Sequence, residues 1–366
     1  MYKFLFFFLL LITNTSFAKN SSKIEELVHQ EMANNNIPAI AVSVISSGKV
    51  TYMSAIGLSD IENKNVATID TPFHIASVSK TVTSMAVFHL IQAGKIQLND
   101  NINKYLPFTI TNPHHPEDKI TIAELLNHLS GILDNEEFYL PFWVTPKGDP
   151  INNLQTFLKD YLVQDGQSFS NSHFESADKY KVYDYSNTGY ALLGLIIEQV
   201  SGEKFESYLM NKIFEPNGME NSSFFLKNLN IERVSKTYTL VDDKLTFKGF
   251  NGYPDYPAGQ LRTSIADYTK LIAGYLNADK KPFVLSHKTT SLITPLVNDN
   301  LEDHSYTWFL RKINDNWYYQ HGGADLGARA EAIIDVKNDN AIIIFTNSGF
   351  DLSSLMQKIE SSAFNN

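Results

Sequence analysis

Ser77 and Lys80 stand three residues apart at the head of a stretch, Phe73 to Gly94, that is otherwise largely apolar. On a helix that spacing sets the lysine ammonium beside the serine hydroxyl. Val78, Val82, Met85, Ala86, Val87, Phe88, Leu90 and Ile91 leave little polar face, so a buried helix is expected, stopping at Gly94. A charge placed there is costly without a partner or a task. The task read here is nucleophilic catalysis, with Ser77 attacking and Lys80 helping to deprotonate it. Ser-x-x-Lys also begins at Ser16, Ser46, Ser176 and Ser201, where it falls in a leader, a turn, a polar loop and a helix end. Only Ser77 opens a buried helix, where backbone N–H groups favour developing negative charge. The tetrad alone also fits a helix-capping serine with a lysine snorkelling to the surface.

Two further short signals follow. Tyr185-Ser-Asn187 precedes a helical stretch, and in an extended segment residues two apart project to the same side. A phenol can relay a proton, and an amide side chain can both donate to and accept from a substrate amide. Tyr-x-Asn recurs at Tyr275 to Asn277, and Asn187 could equally be a plain helix cap. His321-Gly322-Gly323-Ala324 lies between strands and is the only His-x-Gly in the chain. Its glycines would let another backbone approach, as a substrate laid along a strand edge requires, although an ordinary bulge with a half-buried histidine has the same residues. Each signal is weak alone; the three in this order and setting are far more specific.

The elements that must position these residues can be read from periodicity. Ser22-Lys-Ile-Glu25 resembles a capping box opening a helix that ends at Asn34 to Asn36. Ala39 to Ser46 and Val50 to Gly57 read as a hairpin. Ile120 to Leu129 begins a helical stretch, 132–184 is irregular, and Thr188 to Val200 is helical again. Tyr306 to Ile313 with Trp317 to Gln320, and Ala328 to Val336 with Ala341 to Thr346, are further hairpins, and Leu352 to Phe364 a closing helix. Strands at both ends with helices between predict an α/β (α+β) fold. Its α/β lobe comes from about 19–76 and 255–366, with a mostly helical lobe, about 77–254, inserted.

Residues 1–18 read as a signal peptide. Lys3 is followed by the apolar run Phe4 to Ile12, and Ser16-Phe-Ala18 suits cleavage after Ala18. The run is short of the about 20 residues a stable span needs, so a periplasmic or secreted protein with no stable membrane span is expected. The chain has 30 basic and 40 acidic side chains, net −10; losing Lys3 with the leader leaves 29 and 40, net −11. That balance argues against nucleic acid as a partner. There is no cysteine, which excludes disulfides and thiolate chemistry. His114, His115, Glu117 and Asp118 fall in a Pro-containing polar loop, a poor setting for a metal. A lipase-like Gly-x-Ser-x-Gly is lacking.

The three signals together resemble the serine β-lactamase and penicillin-binding-protein superfamily, most closely the branch with class C β-lactamases, DD-carboxypeptidases, D-aminopeptidases and esterases. Leu125-Leu-Asn-His-Leu-Ser-Gly131, Tyr185 to Tyr190, Pro257-Ala-Gly-Gln-Leu261 with Asp267, and Thr346-Asn347 also match. The resemblance implies an antiparallel sheet flanked by helices, a Ser77 acyl-enzyme, and a proton shared by Lys80 and Tyr185. Asn187 would hold a substrate amide, and His321 would replace the lysine of the family's Lys-Thr-Gly. The oxyanion would sit between the N–H groups of Ser77 and Ala324. No metal or organic cofactor is implied; the partner is a small-molecule or peptide substrate, and nothing specifies an oligomeric state. Gly322 stands where Lys-Thr-Gly offers a hydroxyl, and Asn217 where the family commonly has leucine. An ester or amide hydrolase is the leading expectation, against a β-lactamase or a slowly acylated, non-hydrolytic envelope receptor. A partly charged His321, with Arg262 available to supply further charge, is the expected cation at the edge strand.

If the leader is removed as read, N-terminal sequencing of the protein from its native compartment will begin at Lys19. An intact 1–18 segment on a membrane-bound form would instead identify a retained anchor.

Overall fold

A computed structural model describes residues 20–135, 148–150, 153–176, 181–297 and 304–364. The leader and Lys179 lie outside the described residues, as does most of the Pro141–Pro150 stretch. The chain opens with helix α1 (20–35) and the hairpin β1 (Ala39–Ser46) and β2 (Lys49–Asp60), followed by short β3 (Asn65–Val66) and β4 (Pro72–His74). Then come α2 (Ser79–Gln92), α3 (Ile122–Leu126), α4 (Leu154–Leu162), α5 (Asn187–Ser201) and α6 (Phe205–Leu209). Next are β5 (Ser222–Ser223), the hairpin β6 (Tyr238–Val241) and β7 (Lys244–Phe247), β8 (Arg262–Ser264), α7 (Ile265–Leu276) and α8 (His287–Ile293). The chain closes with β9 (His304–Ser305), β10 (Trp308–Ile313), β11 (Asn316–Asp325), β12 (Ala328–Asp335), β13 (Asn340–Thr346) and α9 (Ser353–Phe364). Among the described residues no helix is long and apolar enough to cross a membrane.

The main sheet is antiparallel and runs β3-β2-β1-β13-β12-β11-β10-β9, so strands from the two ends of the chain meet at β1 and β13. Both faces are covered, and the strands show it by being apolar on both sides of the pleat. Ile40, Val42 and Val44 with Ile342 and Ile344 pack against α1 and α9 through Ile24, Val28, Leu355 and Ile359. Ala41 and Ile45 with Ile343 and Phe345 join the larger core around α2, α5 and α7. Asn347 fastens the seam between the chain ends: its Oδ1 accepts from the Ala39 N–H at 2.8 Å and its Nδ2 donates to the Leu58 carbonyl at 3.0 Å.

The region of Ser77 departs in detail from expectation. Residues 76–78 form a 3₁₀ turn and α2 proper begins at Ser79. Ala76 has φ of 45°, a left-handed conformation uncommon for a residue with a side chain. The helix expected from Ile120 is only Ile122–Leu126, because Asn127 and the left-handed His128 (φ 57°) end it early. Polar groups of α2 are met by the segment before β8. Thr83 donates to the Pro257 carbonyl at 2.7 Å, and the Ser79 hydroxyl donates to Ala76 O and accepts the Leu261 N–H.

Strand β11 runs past its neighbour. Its pairing with β10 stops at Gln320 opposite Phe309, whereas pairing with β12 continues to Asp325. The segment 321–325 therefore has one sheet edge left over, and there it meets the 3₁₀ turn. A methyl group at Gly323 would lie 2.3 Å from the Ile75 carbonyl oxygen and 3.2 Å from Ser77 N, whereas at Gly322 the nearest atom is the Gln320 Nε2 at 3.3 Å.

These contacts separate two neighbouring glycines. Gly323→Ala must push the strand off the turn, and overpacking of this kind costs about 1–3 kcal/mol. Gly322→Ala meets only the end of a flexible side chain and should leave stability nearly unchanged. Urea denaturation midpoints of the two variants check the contrast; equal midpoints would contradict it.

Candidate active site

The 3₁₀ turn, the Tyr185–Asn187 segment and the free edge of β11 converge on one cleft of about 770 Å³, lined by Ser77, Tyr185, Asn187, His321 and Ala324 among others. Lys80 lies beneath it, fully buried. Its amine donates to Asn187 Oδ1 and to the Ala258 carbonyl, each at 2.7 Å, and lies 3.3 Å from Ser77 Oγ. Burial, which disfavours the ammonium, pulls its pKa from 10.5 down to about 7, although the Asp255 and Asp134 carboxylates pull the other way. Two short bonds fix two N–H directions. When the third proton leaves, the lone pair is directed at the serine hydroxyl, the arrangement a general base needs.

Tyr185 is the second neighbour of the serine, close enough for the Ser77 hydroxyl to favour the phenolate. Burial drives the Tyr185 pKa far above the usual phenol value, a shift the Ser77 hydroxyl only partly offsets. The group is therefore a neutral phenol near neutral pH, able to relay a proton and unsuited to be the resting base. Lys80 Nζ sits 4.7 Å from the Tyr185 ring centroid. The His128 ring stacks on the same tyrosine at 4.4 Å, while its Nδ1 accepts the Ser186 N–H at 3.0 Å.

Asn187 is the first residue of α5, and the helix cap is Ser186, whose hydroxyl accepts the Gly189 N–H at 3.0 Å. The Asn187 side chain is thereby released to face Lys80. Asp134 adds a second cap, accepting from Asn187 N at 2.6 Å, Thr188 N at 2.9 Å and the Thr188 hydroxyl at 2.6 Å. It is a residue that sequence reasoning passed over. Nothing in its spacing links it to a helix that starts 53 positions later. His128 was visible only as a letter in the Leu125–Gly131 stretch.

His321 corrects the expectation of an edge-strand cation. Its ring is buried, and burial together with the Lys80 charge presses its pKa from 6.5 down to about 3. Nδ1 donates to the Gly322 carbonyl at 2.9 Å, leaving Nε2 as a neutral acceptor with no protein partner among the described residues. Arg262 does not replace the missing charge. It is buried, donates to the carbonyls of Asn251 (2.5 Å) and Gln260 (3.3 Å), and is not among the cleft-lining residues. The arginines that do line the cleft are Arg311 and Arg329. Arg311 is already paired with Glu331 at 2.9 Å, and Gln320 donates to the same carboxylate oxygen at 3.1 Å.

A family model described as Beta-lactamase matches residues 24–358. The chain is similar to Protein flp of Staphylococcus aureus (strain N315), 26% identical over 343 residues, covering 92% of this chain and 64% of that relative. It thus spans somewhat less than two thirds of the length of these curated relatives. Among solved structures, the fold is shared with the octameric penicillin-binding protein homologue from Pyrococcus abyssi (TM-score 0.74, 22% identity, 94% of this chain and 77% of that one). It is also shared with D-amino acid amidase from Ochrobactrum anthropi SV3 (TM-score 0.75, 19% identity, 95% and 99%).

The titration of Lys80 sets a pH dependence that needs no knowledge of substrate. Labelling of the serine by a fluorophosphonate should rise with pH through a midpoint near 7, as the amine loses its proton, and then level off. Lys80→Met should label about a hundredfold more slowly or worse, and without that step. A wild-type midpoint near the ordinary lysine value would show that burial does not free the amine.

Proposed function

The chain belongs to the beta-lactamase family, and from that premise we propose that it is a serine hydrolase of esters or amides, working through an acyl-enzyme on Ser77. The observation that carries the reading is the Lys80 amine, buried, held by two 2.7 Å bonds and left with one direction open toward Ser77 Oγ. In the proposed cycle Lys80 takes the hydroxyl proton as Ser77 Oγ adds to the substrate carbonyl. The oxyanion is held by the N–H groups of Ser77 and Ala324. Tyr185, a neutral phenol beside the serine, passes a proton to the departing alcohol or amine. Water then adds to the acyl-enzyme, and its proton returns through the same pair to restore Ser77. Asn187 contributes its amide to the substrate while its oxygen keeps Lys80 in place.

The class of substrate follows from what the edge strand lacks. Penicillins and cephalosporins carry a carboxylate close to the scissile amide, best met by a permanent cation and a hydroxyl. Here His321 is neutral and Gly322 has no hydroxyl, while Arg311 is engaged by Glu331 and Arg329, on β12 opposite Ala324, donates from Nε to the Gly349 carbonyl at 3.4 Å. A short ester, a D-amino peptide or a cell-wall peptide without an anion at that position fits the cleft better. The amidase named above acts, by its description, on D-amino acid derivatives; the proposal for this chain rests on its own site.

Missing one hydrogen bond to a charged group is worth roughly 1.5–3 kcal/mol, or about one to two decades in specificity. A short-chain aryl ester should therefore give a higher kcat/KM than a chromogenic cephalosporin, and Ser77→Ala should abolish both. Gly322→Thr should shift the ratio toward the cephalosporin. A wild type that prefers the cephalosporin would refute the substrate class, and a labelled protein with no turnover on a panel of esters and peptides would favour a slowly acylated receptor.

A further inference from the structure

Beyond Ala324 the edge strand ends in Asp325, whose carboxylate sits among groups that the proposed cycle does not use. Oδ2 accepts from His74 Nε2 at 3.0 Å and also from the Tyr253 hydroxyl. Oδ1 accepts the Leu326 N–H at 2.6 Å. His74 and Tyr253 are buried, and their rings stack with centroids 6.0 Å apart. His74 is the last residue of β4, three positions before Ser77, and pairs across the small sheet with Arg262, a buried cation whose charge the Asp325 carboxylate helps to favour. Burial works to raise the Asp325 pKa, but the bonds from His74 and Tyr253 outweigh it and hold the group ionised.

The placement of this cluster matters more than its existence. The two halves of the oxyanion site belong to different parts of the chain, Ser77 to the turn after β4 and Ala324 to β11. No strand pairing joins them, since β4 pairs with β8 and the segment 321–325 pairs with β12. Their contact at Gly323 is backbone against backbone, which limits approach and does not prevent separation. The bond from His74 to Asp325 crosses that gap, spanning 251 residues of sequence. A largely enclosed carboxylate, its side chain 18% exposed, is a costly way to add stability alone, because well-packed apolar groups commonly do as well. Its directionality is what an apolar contact would lack.

We propose that Asp325 is a positioning residue: held by His74 and Tyr253, it locks the end of β11 to the nucleophile turn and so sets the spacing of the Ser77 and Ala324 N–H groups that receive the oxyanion. The proposal rests on the acyl-enzyme reading given above. Loss of the lock loosens a site built for the tetrahedral intermediate, while ground-state binding along the rest of the strand is kept.

The test compares wild type, Asp325→Ala, Asp325→Asn and Ser77→Ala on a short-chain aryl ester, with an arylboronic acid as the tetrahedral mimic. Asp325→Ala should lower kcat about 10- to 100-fold with KM changed less than about threefold, and should weaken boronate inhibition by a similar factor. Asp325→Asn, which keeps an acceptor oxygen, should recover most of both. If Asp325→Ala does not fold, His74→Ala removes the same bond from the other side and carries the same expectation. Turnover surviving in Ser77→Ala would overturn the acyl-enzyme reading itself. With Ser77→Ala inactive, a folded Asp325→Ala or His74→Ala with wild-type kcat or wild-type boronate affinity would overturn the lock alone.

Discussion

The burial of one amine governs much of this molecule. Lys80 lies in a helix whose other buried positions include Val82, Met85, Ala86, Val87, Phe88 and Leu90, and a lysine there must either find compensation or give up its proton. The chain does some of each. Carbonyl oxygens from Ala258 and Asn187 satisfy the N–H groups, which requires the 256–261 segment and the start of α5 to close over α2 from two sides. Asp134 and Asp255 then temper the desolvation from a distance, so that the amine is poised near neutrality instead of being driven far below it. The cleft exists where those elements meet, and the same charge helps to keep His321 neutral.

Parts of this were legible in the residues and parts were not, for identifiable reasons. The Ser77–Lys80 relation is local, a matter of helical geometry over three residues, and the surrounding apolar run announces burial. The hairpins at both ends were legible because runs of β-branched and aromatic residues and the Ser-Gly or Asn-Asp turns between them act within about ten residues. The short 3₁₀ turn before α2 was not, since it sits against Gly323, almost 250 positions away. Asp134, Tyr253 and Asp325 were invisible for the same reason: a carboxylate looks alike in sequence whether it caps a distant helix, locks a strand or faces water.

The misreading of His321 has a different origin. The type of residue was read and its position along the strand was suitable, but its charge is not a property of the residue. It depends on how deeply the ring is buried and on a cation brought near by another element. Arg262 makes the same point in reverse: a formal charge near the site in sequence proved to be committed to backbone carbonyls and screened from the cleft. The proposed substrate preference therefore rests on side chains whose electrostatic state only the folded arrangement determines.

The seam between β1 and β13 has a temporal consequence. Ala39 is tied to Asn347, 308 residues later, so the central sheet cannot be completed until nearly all of the chain is available. Contacts so distant in sequence are slow to form, because a long loop must close before any of them is rewarded. Lys80 in turn is enclosed only once the 256–261 segment and the start of α5 have closed over α2. On the proposed mechanism, an unfinished chain carries Ser77 without the enclosed amine that would activate it.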